Sequence, residues 1–259
     1  MEAEFSLSTS RALRILSSFS EDRPELGVSE IARELSLSKA STSRFLQALE
    51  MHGFVDRNPV TRKFRPGVEA FRVGSLFLRA GGLNEAAAPI MARLVAETGF
   101  TSYLSSLRGD TMVILAALEG RGPIKYSIPV GEKLPVHTSA TGHAALSTLK
   151  PDQAESILRA SQLVARTPFT LTEVDRLMER LAQVRAQGFS LNWQEHTAGV
   201  ASVAAAAVGT EGELLGVLSL GYATMQASQE ESQALGREVR KAADELSAAL
   251  KARRPHEHD

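Results

Sequence analysis

Val28-Ser-Glu-Ile-Ala-Arg-Glu-Leu-Ser-Leu-Ser-Lys-Ala-Ser-Thr-Ser-Arg-Phe-Leu-Gln-Ala-Leu49 reads as two short amphipathic helices joined by a tight turn. Val28, Ile31, Ala32 and Leu35 recur at helical intervals and line one face with apolar groups. Thr42, Phe45, Leu46 and Leu49 repeat that spacing in the second helix. Ser38 stands at its start, where a hydroxyl can accept an amide proton one turn in. With Thr42, Phe45 and Leu46 turned inward, the outer face carries Lys39, Ser43, Arg44 and Gln47, with Ser41 beside them. These side chains pair with phosphates and base edges, as a helix entering the DNA major groove requires.

The flanking residues extend the pattern. Gly53 suits a left-handed stop after the second helix. Phe54 to Asn58 then reads as a strand, Pro59-Val60-Thr61 as a turn, and Arg62-Lys63-Phe64-Arg65 as a basic return strand. Upstream, Ala12, Ile15, Leu16 and Phe19 predict a third helix, capped at Ser8. Three helices and a hairpin make a winged helix-turn-helix over residues 1–67. Residues 38–66 carry a net charge of +4, residues 1–37 one of −3, and the whole chain −1. The asymmetry matters more than the total, because phosphates supply most sequence-independent affinity. Ser38, Lys39, Ser41, Ser43, Arg44 and Gln47, with Arg62, Lys63 and Arg65 of the wing, are the expected contacts to double-stranded DNA. The rival reading is a small-molecule sensor whose head is a protein-interaction module. Such a head has no use for Arg62-Lys63-x-Arg65.

At 259 residues the chain suits two domains, and its 43% hydrophobic content supports proper cores. The absence of cysteine excludes disulfides, thiol nucleophiles and Cys-based zinc or iron–sulfur sites, and suits a reducing compartment. No basic segment followed by an apolar run opens the chain, and the longest small or apolar run, Val203 to Val208, is too short to span a bilayer. A cytoplasmic protein with no membrane partner is expected. Pro255-His-Glu-His-Asp belongs to a polar tail at 254–259.

Residues 68–83 predict a linker helix with a stripe of Val68, Phe71, Ser75 and Leu78, Gly74 allowing close approach. That stripe would pack against its own copy or against the second domain. Residues 84–253 alternate helices and strands. The Arg108-Gly109-Asp110 turn joins strands at 101–107 and 111–118, and a further strand is expected at Ile124–Ile128. Strands follow at 189–193, 200–208 and 214–221. Capping boxes at Thr170–Glu173 and Ser228–Glu231 open two helices, the first of which Gly188 stops. The class is α+β, an antiparallel sheet with helices.

His137, Ser139, His143 and His196 invite a catalytic reading, with His137 or Ser139 serving a hydrolase. No Gly-x-Ser-x-Gly elbow, P-loop, dinucleotide fingerprint or His-Glu-x-x-His occurs. Helix capping accounts for the His137-Thr-Ser139 cluster more simply. No enzyme activity, cofactor or metal is expected.

The segments Ser10–Leu16, Ser29–Ala32, Leu37–Lys39, Gly131–His137, Gly142–Ala144, Gly188–Phe189 and Leu215–Leu220, in this order and spacing, resemble those of the IclR family of transcriptional regulators over nearly the full length. The resemblance implies a winged helix-turn-helix head and a GAF-like effector-binding domain. It implies dimers or tetramers on palindromic operators, responding to a small organic acid or aromatic metabolite. Carried over by position, it places the effector against Ala140, Thr141, Asn192, Ser202, Ser219 and Gly221, with Tyr126 and Leu134 as the apolar side. The sequence departs from the family pattern at His143, where Lys is usual, at Asn192, where an acid is common, and at Ser202, where Cys is common. Uncharged Asn192 would not repel an anion.

Overall fold

The computed structural model describes residues 7–20, 22–79, 82–122, 124 and 126–253; the expected polar tail lies outside them, as do the side chains of Leu78 and Arg79. The chain divides between Ala80 and Gly81 into two compact units.

The first unit holds α1 (Leu7–Leu16), α2 (Val28–Glu34), α3 (Lys39–Met51), β1 (Val55–Arg57), β2 (Phe64–Pro66) and α4 (Val68–Arg79). Ile15, Leu26, Ile31, Leu46, Val55 and Phe64 form its core, with Leu16, Phe19, Val28, Leu35, Phe45 and Leu49 packed against them. Ser38 caps α3 as expected, its Oγ accepting the Ser41 amide at 3.1 Å. Ser8 lies inside α1, so it is no cap. The wing is antiparallel, with Asp56 opposite Arg65. Leu26 exchanges two backbone hydrogen bonds with Phe64 and so adds a third chain to the wing. Asn58 shapes the wing's turn by accepting the amides of Val60 and Thr61, at 2.9 and 3.2 Å. Along α4, Val68, Phe71, Val73, Leu76 and Phe77 are exposed.

The second unit is a six-stranded antiparallel sheet in the order β5-β4-β3-β8-β7-β6. Its strands are β3 (Thr101–Arg108), β4 (Thr111–Leu118), β5 (Lys133–Pro135), β6 (Ser190–Trp193), β7 (Val200–Val208) and β8 (Leu214–Ala223). Both edge strands are therefore short. Alternation along β8 sends Leu218, Leu220 and Tyr222 into one core with α5 (Leu83–Thr98) and α9 (Gln229–Arg253). Val217 points the other way, into a core with α6 (Ala140–Ser147), α7 (Pro151–Ala160) and α8 (Val174–Gln187). Every residue of α6 is buried, so its composition is Ala, Thr, Gly, His, Leu and Ser without a charged group. Gly142 permits this, because a Cβ there would collide with the Val136 carbonyl.

Two expectations fail in this unit. Among the described residues of 124–128 no strand forms; instead the Tyr126 carbonyl accepts the Tyr103 hydroxyl at 2.7 Å, and the Ile128 amide donates to that hydroxyl at 3.1 Å. A tyrosine side chain takes the place of a neighbouring strand. The Thr170–Glu173 box does not cap α8, which begins after Glu173 with no side-chain cap. The Thr170 hydroxyl donates to the Glu195 carbonyl at 2.6 Å instead. At α9 the box forms, with Ser228 N on Glu231 Oε2 at 2.7 Å and Glu231 N on Ser228 Oγ at 3.2 Å. No described helix is long and apolar enough to cross a membrane. Among the described residues, no group of three potential ligands could hold a metal.

Candidate functional site

On the first unit, α3 buries Thr42 and Leu46 and leaves Lys39, Arg44 and Gln47 exposed, with Ser41 and Ser43 half-buried. Neither Lys39 nor Arg44 has an acidic partner among the described residues. Ser38 is committed to the cap. In the wing, Arg57 lies over the Phe64 ring, 5.5 Å from its centroid. Arg62 and Arg65 are exposed and carry no ion pair among the described residues. Lys63 differs from the expectation of a free cation: its Nζ sits 3.1 Å from Glu30 Oε1. The Glu30 carboxyl is held below its ordinary value, first by the Gly27 amide and then by Lys63. The wing thus offers two arginines outside any ion pair among the described residues, of which Arg65 lies near enough to Glu25 to help lower its carboxyl, after the Asn58 and Thr61 hydrogen bonds.

In the second unit, Tyr126, Leu134, Ala140, Thr141, Asn192, Ser202, Ser219 and Gly221 all line one cavity of about 40 Å³. Register explains the convergence: Asn192 pairs with Ser202 and Ser202 with Gly221, a polar row across β6, β7 and β8. Ser219 pairs with Tyr103 on β3, one step along the same face. Gly221 makes room for rings, since a Cβ there would lie 3.1 Å from Tyr126 and 3.2 Å from Tyr103. The N-terminal end of α6 meets the cavity through Ala140 and Thr141, whose amides have no carbonyl within the helix to bond. Ser139 caps the helix, its Oγ accepting Gly142 N at 3.1 Å, as the capping explanation requires. The Thr141 hydroxyl is buried with no partner, an unmet hydrogen bond at the cavity wall.

Asn192 is more occupied than its sequence context indicates. Its Nδ2 donates to the Thr138 carbonyl at 2.7 Å and its Oδ1 accepts the Glu195 amide at 3.2 Å. Glu195 pairs with Arg180 at 2.9 Å; burial raises its carboxyl, and Arg180 opposes that. His143 is fully buried, with Nε2 3.0 Å from the His137 carbonyl, so that nitrogen carries the proton. Burial first, then the Arg180 charge, pushes its pKa down to about 4. His143 is therefore a neutral group at neutral pH.

Sequence reasoning did not single out Tyr103, Ile114, Ile128, Thr197 or Val200 for this cavity, and it treated Ser139 and His196 as structural. His196 bonds Thr138 Oγ1 through Nδ1 at 2.8 Å and has its pKa lowered to about 4, by burial before the Arg166 and His137 charges. Alternation along β3 could have put Tyr103 on the face of Ser105, but only the long-range pairing of β3 with β8 sets it beside Ser219.

Comparison with known proteins places these features. The family description "Bacterial transcriptional regulator IclR C-terminal" matches residues 77–248, and "IclR helix-turn-helix domain" matches residues 8–59. The chain is 32% identical over 244 residues to the HTH-type transcriptional regulator XynR of Escherichia coli K12, covering 94% of this chain and 96% of that protein. It is 31% identical over 244 residues to the acetate operon repressor of Salmonella typhimurium, covering 93% and 89%. A solved transcriptional regulator from Silicibacter sp. TM1040 superposes with a TM-score of 0.86 at 27% identity, covering 96% of this chain and 98% of that one. The fold is shared with an IclR homolog from Microbacterium hydrocarbonoxydans complexed with 4-hydroxybenzoate, at a TM-score of 0.79 and 24% identity, covering 95% and 99%.

Proposed function

The chain belongs to the IclR family of bacterial transcriptional regulators, and we propose that this member is an effector-responsive repressor of a metabolic operon, holding palindromic operator DNA as a dimer or tetramer. The observation that carries DNA binding is the unpaired cationic face of the winged unit: Lys39 and Arg44 on α3, Arg62 and Arg65 on the wing. Arg44 and Gln47 are suited to base edges and Lys39 to phosphate, while Ser38, Ser41 and Ser43 offer hydroxyls to the backbone. Repression is favoured by relatives that are themselves named repressors.

Support for effector sensing comes from the cavity. Its wall is built from hydroxyls, an amide, two tyrosine rings and the N-terminal end of a helix, a set suited to a small carboxylic acid or ring metabolite. The exposed apolar side of α4, with Phe71 and Leu76, would be covered by a second copy. Half-sites on one face of DNA lie about 34 Å apart or a multiple of it, so a modest shift between the two heads changes operator fit. This reading needs no cofactor, metal or membrane and acts in the cytoplasm on chromosomal DNA.

Selection from random duplexes by the full-length protein tests the function. An enriched inverted repeat is expected, released by one of a panel of organic acids. Failure to enrich any sequence would favour the rival, a head that binds protein.

A further inference from the structure

The lining of the cavity includes no Lys, Arg, Asp or Glu, whereas a carboxylic acid, the first of the proposed effector classes, is an anion. At about 40 Å³ the cavity holds water and not a ring acid, so it must widen to admit one. The cationic residue to consider does not line the cavity itself. Arg166 lies on the loop between α7 and α8, near enough that its charge lowers the pKa of the His196 ring, after burial, and opposes the rise that burial gives the Tyr126 hydroxyl. That guanidinium makes no ion pair or hydrogen bond among the described residues, and it is exposed. It borders a groove of about 880 Å³ shared with Asp110, His137, Gln162 and Val164.

The loop is fastened to the segment that closes the cavity. The Thr167 hydroxyl donates to the Gln194 carbonyl at 2.6 Å, and the Thr170 hydroxyl to that of Glu195, also at 2.6 Å. Those carbonyls immediately precede His196 and Thr197 of the wall. On its other side the loop accepts His137 Nε2 at the Val164 carbonyl, 3.1 Å away. Any widening at His196 and Thr197 therefore carries the Arg166 loop with it.

We propose that Arg166 is the charge-selecting residue of the effector site, taking the carboxylate from the groove side while the uncharged cavity sorts the rest of the molecule. This rests on the effector reading above. A free guanidinium beside a poorly solvated wall discriminates an acid from its amide, because a charge-assisted contact exists for one and not the other.

The test titrates the full-length protein by calorimetry with matched pairs: benzoate and benzamide, 4-hydroxybenzoate and its amide, pyruvate and pyruvamide. In the wild type, at least one acid should bind about tenfold more tightly than its amide. Arg166→Gln should bring that ratio to within about twofold, and Arg166→Lys should retain most of it. Acid preference that survives in a folded Arg166→Gln protein overturns the proposal, as does a wild type that prefers none of the acids. Ser219→Leu separates the two readings: an acid that still binds this variant is not in the cavity and defeats the effector reading, whereas one lost in Ser219→Leu but kept in Arg166→Gln defeats Arg166 alone.

Discussion

Asn192, on the cavity wall, is joined to Thr138 by a 2.7 Å hydrogen bond from its side-chain amide to the Thr138 carbonyl. The bond ties β6, at the edge of the sheet, to the turn that leads into α6. Asn192 Oδ1 meanwhile holds the Glu195 amide. One side chain thus fixes the edge strand, the start of the helix and the segment that carries His196.

Asn192→Ala leaves the Thr138 carbonyl and the Glu195 amide unpaired in the interior. A loss of about 2–3 kcal/mol is expected in urea unfolding. Asn192→Asp should lose a similar amount, since a carboxylate cannot donate to Thr138. An unchanged midpoint in both variants would show that the bond does not hold the edge strand in solution.

Arg44 is the one exposed side chain on α3 able to contact guanine with two parallel bonds. Arg44→Ala should cost about 1–3 kcal/mol at the operator and relax one base position. Operator affinity equal to wild type would remove Arg44 from base reading.

The wing cations should not be equivalent. Arg62→Ala and Arg65→Ala should each flatten the slope of log affinity against log salt by about one, on all sequences alike. Lys63→Ala should flatten it less, because Glu30 already neutralises that charge. Equal slopes for all three variants would mean that DNA displaces the Glu30 pair.

Ser219→Leu fills the cavity face of β8, within the second unit. Operator affinity should persist while release by the effector disappears, a comparison made on one preparation by calorimetry and fluorescence anisotropy. Retained release by a folded variant would place the effector elsewhere.

His143 makes the fold acid-sensitive. Its ring titrates at about 4 in the folded chain against an ordinary 6.5, so between those values the unfolded chain binds the extra proton. Its contribution is therefore whole above pH 6.5 and is lost as pH falls toward 4, on the order of 3 kcal/mol. His196 shifts in the same direction, and Glu195, raised by burial, in the opposite one. His143→Gln should give a shallower fall in stability across this window by about one proton. An unaltered slope would locate the proton uptake elsewhere.

The helix-turn-helix was legible because everything that defines it is local. The Ser38 cap, the stripe of Thr42 and Leu46 and the Gly53 stop lie within one short segment and require no partner from elsewhere in the chain. The cavity residues were reached through family resemblance, since nothing near Ser219 says that Tyr103 will pair with it. The two errors in the second unit share one cause. Ile124-x-Tyr126-x-Ile128 alternates like a strand, and Thr170-x-x-Glu173 spells a cap, yet each segment gives its hydrogen bonds to a distant group: the Tyr103 hydroxyl in one case, the Glu195 carbonyl in the other. Local pattern cannot register a competitor that tertiary folding supplies.

The sheet of the second unit ends in β5, three residues closing on Pro135, and in β6, four residues long. Each border strand covers only part of its neighbour, β5 pairing with residues 111–113 of β4 and β6 with residues 201–204 of β7, and the proline lacks a donor altogether. Short border strands of this kind disfavour the zipping of sheets from separate copies into a continuous ribbon. That leaves side-chain surfaces as the favoured ground for contacts between copies, and because their strength is set residue by residue, partner choice can drift without endangering the sheet.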